Sequence, residues 1–179
     1  MFENGSRLPF GCNHMRVAEA EFAFRMAVDM PPRATRYTVD EVLASVGTLH
    51  PSIEIPDSRY VDFTTVGAAQ LIADNACAHD LVLGPAASHA WRSIDLAAHG
   101  VKGSVAGKLE REGIGANVLG DPREALTWLV NELSMLKLTL RAGQVVTTGT
   151  CLVPLPIAPG DRVTCDFGDF GTIAVSFSD

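Results

Sequence analysis

A chain of 179 residues, 47% hydrophobic and 20% charged, has the size and composition of one folded domain with a substantial core, which excludes general disorder. Its net charge of −7 and pI near 5.1 come from scattered acidic residues, and no basic stripe exists to displace counterions from phosphate, so a nucleic-acid partner is excluded. No run approaches the roughly 20 apolar residues of a membrane helix, and the opening MFENGSRLPFGCNH has no apolar stretch of signal-peptide length, so the expectation is a soluble, cytoplasmic protein with no membrane partner.

After that turn-rich opening, VAEAEFAFRMAV (17–28) alternates Ala18, Ala20, Phe22 and Phe24 with Glu19, Glu21 and Ala23, which suits a strand, although its Ala and Glu content also permits a helix. Pro31 and Pro32 end it. Thr38-Val39-Asp40-Glu41 reads as a capping box opening a short helix over VDEVLASVG. LHPSIEIPDSRY (49–60) is β-rich and punctuated by Pro51 and Pro56. TTVGAAQLIADNA (64–76) reads as a helix, and HDLVLGP (79–85) as a buried strand stopped by Gly84-Pro85. Further strands are expected around 91–98 and 100–106, with a turn near Glu112–Gly113. The clearest helix runs from Pro122 to about Met135: Asp121 is a good N-cap, Pro122 suits the first position, and Ala125, Leu126, Leu129, Val130 and Leu133 form an apolar stripe. QVVTTGTCLV, PIAPGDRVTCDF and GTIAVSF then read as strands, with a turn at Gly168-Asp169. Few helices among many strands predict a strand-rich α+β domain, not a Rossmann fold. GIGANVLGDP lacks both the spacing and the preceding strand of a dinucleotide loop.

Cys12, Cys77, Cys151 and Cys165 form no C-x-x-C pair and are expected as reduced thiols, buried in apolar or strand-like runs in the case of Cys77 and Cys165. His14, His50, His79, His89 and His99 have no zinc-ligand spacing; His50 is nearest the acidic residues, but a structural or surface role fits each histidine better. Ser104 and Thr150 lack the context of a nucleophile elbow. On a strand, Glu19 and Glu21 project from one face while Phe22 and Phe24 pack behind. Two like charges side by side repel unless a cation or water separates them, and hard oxygen ligands suit Mg²⁺, Mn²⁺ or Ca²⁺. E-x-E is common, however, and by spacing alone a solvated edge-strand face explains it better. Glu54, between Ile53 and Ile55, is costly to bury unpaired, and Arg59 offers an ordinary salt bridge as an alternative to metal binding. Asp57-Ser58-Arg59 and Asp74-Asn75 also fit turn and cap chemistry.

Taken in order, VAEAEFAFRM, HPSIEIPDSRY, IADNACAHDLVLGP, GANVLGDPREALTWLVNELS, AGQVVTTGT and PGDRVTCDFGDFGTIAVSF resemble the fumarylacetoacetate hydrolase superfamily, nearest its hydratase/decarboxylase branch of 2-keto-4-pentenoate hydratase type. The resemblance spans nearly the whole chain. It implies a mixed β-roll with a few flanking helices, residues 1–179 as a single catalytic-type domain, and Mg²⁺ or Mn²⁺ on Glu19, Glu21 and Glu54. It places Thr148, Gly149 and Thr150 near the substrate, with Ser58, Arg59 and Asn75 as further substrate-binding candidates. The implied activity is a hydro-lyase reaction on 2-keto-4-pentenoate-type 2-oxo acids in aromatic-compound catabolism. Decarboxylation and C–C hydrolysis are alternatives, as is a truncated non-catalytic metal-binding subunit. Relatives carry an earlier segment with a G-R-K-x-G lysine that this sequence does not contain, and Lys102, Lys108 and Lys137 stand in other contexts. Homo-oligomers, or pairing with a related decarboxylase or hydratase, are also implied.

Overall fold

The alternation along residues 17–26 decides the centre of the fold. The computed structural model describes residues 1–179, apart from the side chain of His89. Its elements, in chain order, are β1 (Phe2–Glu3), β2 (Arg7–Pro9), β3 (Val17–Met26), α1 (Val39–Ala44), β4 (Val46–Ile55), α2 (Ala68–Ala73), β5 (Asp80–Leu83), β6 (Gly100–Val105), β7 (Leu109–Ile114), α3 (Pro122–Met135), β8 (Val145–Thr150), β9 (Leu155–Pro156), β10 (Arg162–Asp166) and β11 (Thr172–Ser178). One sheet has the order β1-β5-β4-β3-β8, with β9 also on β3; the other is β2-β11-β10-β6-β7. The β1–β5 and β2–β11 pairs are parallel and the rest antiparallel, so both sheets are mixed.

The core lies between the sheets. Ala18, Ala20, Phe22, Phe24 and Met26 of β3 and Leu49, Ile53 and Ile55 of β4 are buried, as are Val163, Cys165, Ile173, Val175 and Phe177 of the second sheet. Phe22 meets Phe167 and Phe170 edge-on at 5.3 and 5.6 Å, and Phe24 meets Trp91 at 6.0 Å. Burying side chains of this size contributes about 1.5–3 kcal/mol each. β3 is therefore clamped on its apolar face, which leaves its opposite face for other chemistry.

The helix caps form as expected. Glu41 N–H donates to Thr38 Oγ1 at 3.3 Å, and Thr38 N–H donates back to Glu41 Oε2 at 2.8 Å. Asp121 Oδ1 accepts from Arg123 N–H at 2.8 Å, with Pro122 in the first turn of α3. Other expectations are corrected. α1 stops at Ala44 because β4 begins at Val46. The helix expected over 64–76 is only α2, followed by a 3-10 turn at Asn75–Cys77 whose three residues all have positive φ. Residues 91–98 are not a strand: His89–Ser93 is a 3-10 turn that buries Trp91 against Phe24. No turn occurs at Glu112–Gly113, where β7 runs through. The hairpin turns at Gly107 instead, with φ of +71°, and Gly113 is glycine because a Cβ there would run into the Cys151 carbonyl. The opening stretch carries the two short parallel strands β1 and β2. Of the cysteines, Cys77, Cys151 and Cys165 are buried and free, while Cys12 is exposed.

Candidate metal centre

With Phe22 and Phe24 turned into the core, the two-residue period of β3 sends Glu19 and Glu21 to the other face. Antiparallel pairing sets Glu54 of β4 directly opposite Glu19. One carboxylate oxygen from each of the three glutamates can be chosen so that all lie within 4.8 Å of one another. Glu21 is 1% exposed, while Glu19 and Glu54 are half-buried. Ser52, opposite Glu21, donates its hydroxyl to the Glu21 backbone carbonyl at 2.9 Å.

Burial, followed by repulsion from Glu54, raises the carboxyl pKa of Glu19 above its ordinary 4.5. The same two causes push Glu21 well above that value, offset in part by a hydrogen bond from Gly149 N–H to Oε2 at 2.8 Å. Burial raises Glu54 as well. Among the described residues, none of the three carboxylates has an ion-pair partner. Arg59 does not pair with Glu54; its Nε lies 2.6 Å from Asp74 Oδ1. Three converging carboxylates, one fully buried and none neutralised by a side chain, fit a hard divalent cation. Thiolate and imidazole, the usual zinc ligands, are not in the cluster.

The remaining candidate residues divide into two groups. Thr148, Gly149 and Thr150 sit on β8 beside Glu21, where Glu21 pairs with Thr150. Both threonine hydroxyls donate to backbone carbonyls, Thr148 to Phe22 at 3.0 Å and Thr150 to Leu152 at 2.8 Å. Ser58, Arg59 and Asn75 instead line a surface cleft with Asp57, Asp74, Ala78 and His79. There the buried Asp74 accepts from Ser58 Oγ at 2.5 Å and from Arg59, so turn chemistry accounts for these residues as they stand. His50 shares the outward face of β4 with Ser52 and Glu54, but both ring nitrogens are occupied, by Thr48 Oγ1 at 2.8 Å and the Gly84 carbonyl at 2.9 Å. Sequence reasoning missed the Ser52 and Gly149 backbone contacts. It also missed Leu81 and Leu83 of β5, which pair with Glu54 and Ser52 and place half-buried apolar side chains on the carboxylate face.

The structure is thus a mixed two-sheet roll with an acidic triad on two of its central strands. The family model for the fumarylacetoacetate (FAA) hydrolase C-terminal domain matches residues 6–178, and the chain belongs to that family. It is 34% identical over 163 residues to a 2-hydroxyhexa-2,4-dienoate hydratase of Comamonas testosteroni, covering 90% of this chain and 60% of that protein. It is 31% identical over 176 residues to a 2-keto-4-pentenoate hydratase of Paraburkholderia xenovorans, covering 98% of this chain and 64% of that protein. The fold matches 4-oxalocrotonate decarboxylase from Pseudomonas putida G7, solved with magnesium and adipate, with a TM-score of 0.87 and 27% identity, over 98% of this chain and 65% of that one. The chain thus spans 60 to 65% of the length of these relatives. Among the described residues, no helix is long and apolar enough to cross a membrane.

Proposed function

We propose that residues 1–179 form the metal-binding catalytic part of a hydro-lyase acting on short 2-oxo acids of the 2-keto-4-pentenoate type, in the catabolism of aromatic compounds. The observation that carries this reading is the triad Glu19, Glu21 and Glu54, converging without a cationic partner in a chain similar to hydratases. These residues would hold Mg²⁺ or Mn²⁺. Bound there, the ion supplies Lewis acidity toward the adjacent carboxylate and 2-oxo oxygens of such a substrate. Glu21, fully buried, serves as a fixed anchor, while the half-buried Glu19 and Glu54 border the approach to the site. Leu81 and Leu83 give that approach an apolar wall suited to an uncharged alkenyl tail. Ser58, Arg59 and Asn75, grouped around Asp74 beyond the end of β4, are the candidates for contacting the more distant part of a substrate.

Decarboxylation of a 4-oxalocrotonate-type acid is the second reading, favoured by the fold match to a decarboxylase. Homo-oligomerisation, or pairing with a related decarboxylase or hydratase, belongs to the same proposal. The apolar side chains of Val61, Leu71 and Ile72, 83, 41 and 76% exposed, are surface available for it, and light scattering on the purified chain reads the assembly state. A cytoplasmic location fits the buried free thiols.

Calorimetry with Mg²⁺ and Mn²⁺, paired with turnover assays on 2-hydroxypenta-2,4-dienoate and 4-oxalocrotonate, tests the reading. Wild type is expected to bind an ion that Glu21→Ala does not. Faster hydration than decarboxylation supports the hydratase, and the reverse order supports the second reading. A folded, metal-loaded chain that turns over neither substrate refutes both.

A further inference from the structure

Between the Glu21–Thr150 pair and the Ala23–Thr147 pair, β3 advances two residues while β8 advances three. Thr148 and Gly149 therefore share the place opposite Phe22. This is a β-bulge, an irregularity that re-aims groups beside functional sites. It depends on Gly149, whose φ of +109° is rarely adopted by residues with a Cβ. A Cβ there would meet only Val118 Cγ1, at an ordinary 3.6 Å, so the backbone angle and not lack of space calls for glycine. Thr148 Oγ1 pins the bulge to the Phe22 carbonyl at 3.0 Å. In this arrangement Gly149 N–H leaves the ladder and donates to Glu21 Oε2 at 2.8 Å. The same carboxyl faces Glu19 and Glu54, with one oxygen of each of the three within 4.8 Å of the others.

We propose that the Thr148–Gly149 bulge is a positioning device for the metal centre: the Gly149 amide holds Glu21 Oε2 so that Oε1 is presented to the space shared with Glu19 and Glu54. This rests on the metal reading of the triad and assigns the T-G-T block a role through its backbone. A buried carboxylate held by one oxygen has already lost the rotational freedom that ion binding would otherwise remove. Hydrogen-bond partners of this kind are commonly worth about 10–100-fold in metal affinity. Gly149 is thus a positioning residue, and Thr148 supports it.

The test is calorimetric titration of the full chain with Mg²⁺ and with Mn²⁺, alongside melting in EDTA. In Gly149→Ala, relief of the unfavourable φ turns the amide away from Glu21. The expected result is at least about tenfold weaker ion binding by a folded variant. Thr148→Val, which keeps the side-chain shape and removes only the bond to Phe22, is expected to weaken binding about threefold or more; it carries the test alone should Gly149→Ala fail to fold. Variants that melt earlier in EDTA yet bind both ions within twofold of wild type would show the bulge to be structural only and would overturn the proposal. Wild type giving no binding heat with either ion would overturn the metal reading itself, and this inference with it, an outcome visible before any variant is made.

Discussion

Replacing Glu21 by glutamine separates the two effects of its carboxylate. Without an ion, the triad is repulsive. Two full charges 4.8 Å apart repel by about 3.5 kcal/mol at an effective dielectric constant near 20. Glu21 faces two such neighbours, and burial adds a further cost. Proton uptake relieves most of this, so the expected gain at pH 8 on removing the charge is about 1–3 kcal/mol. Glutamine fits the site well. Its carbonyl still accepts from Gly149, and its amide group can donate to Glu54 or Glu19, so no buried polar atom is orphaned. At about 2–4 °C per kcal/mol for a chain of this size, Glu21→Gln should melt about 2–12 °C above wild type in EDTA. With Mg²⁺ at a hundred times its dissociation constant, wild type gains about 2.7 kcal/mol that the variant does not, which narrows or inverts the order. Scanning calorimetry at pH 8, with EDTA and with Mg²⁺, reads both halves. A variant that melts below wild type in EDTA, or gains as much from Mg²⁺, refutes the reasoning.

The raised carboxyls also set a pH dependence. Above 4.5 the folded triad binds more protons than the unfolded chain, so its contribution to stability falls as pH rises from 4.5 through the raised folded values. Urea melts in EDTA between pH 5 and pH 8 should show this decline, Glu21→Gln should flatten it, and ion binding should release protons, seen as buffer-dependent calorimetric heats. Asp74 has the opposite sign. The Ser58 hydroxyl and then Arg59 hold it below its ordinary 3.8, so its contribution is present above that value and lost as pH falls. Asp74→Ala should lower the melting temperature, and the loss should shrink in acid. Thr38→Ala removes one side of the α1 capping box and should cost about 1 kcal/mol, read as a drop of about 2–4 °C.

Features whose cause is local were legible in the sequence. The alternation of 17–26, the Thr38–Glu41 box and the Asp121-Pro122 start each depend on residues within a few positions, and all appear in the structure. The misreadings have non-local causes. Residues 91–98 read as a strand, yet Trp91 is buried by a turn packed on Phe24 from a distant strand. Gly113 looks like a turn residue because the Cys151 carbonyl that requires its missing side chain lies far along the chain. Arg59 pairs across 15 positions with Asp74 and not with the nearer Glu54. The triad was half legible: Glu19 and Glu21 share a face by periodicity alone, whereas the place of Glu54 depends on β3–β4 register. The Gly149 contact left no sequence signal beyond the glycine, since a bulge is defined only by what its partner strand does.

That register also explains how three unpaired carboxylates are tolerated. Side chains alternate with a period of two, so a one-residue slip of β4 against β3 would turn Glu54 into the core and set an isoleucine in its place. The core resists such a slip. Turning Leu49, Ile53 and Ile55 of β4 out of the core would cost about 1.5–3 kcal/mol each, together more than the repulsion of about 3.5 kcal/mol in one ionised pair. Protonation can reduce that repulsion further, because the carboxyls are free to take up protons when no ion is bound. The apolar face therefore chooses the pairing, and the acidic face inherits its geometry. Because the apolar core and not a metal sets the strand register, the sheet itself should survive chelation, while the metal affinity proposed for the triad should respond to Glu21 and Gly149.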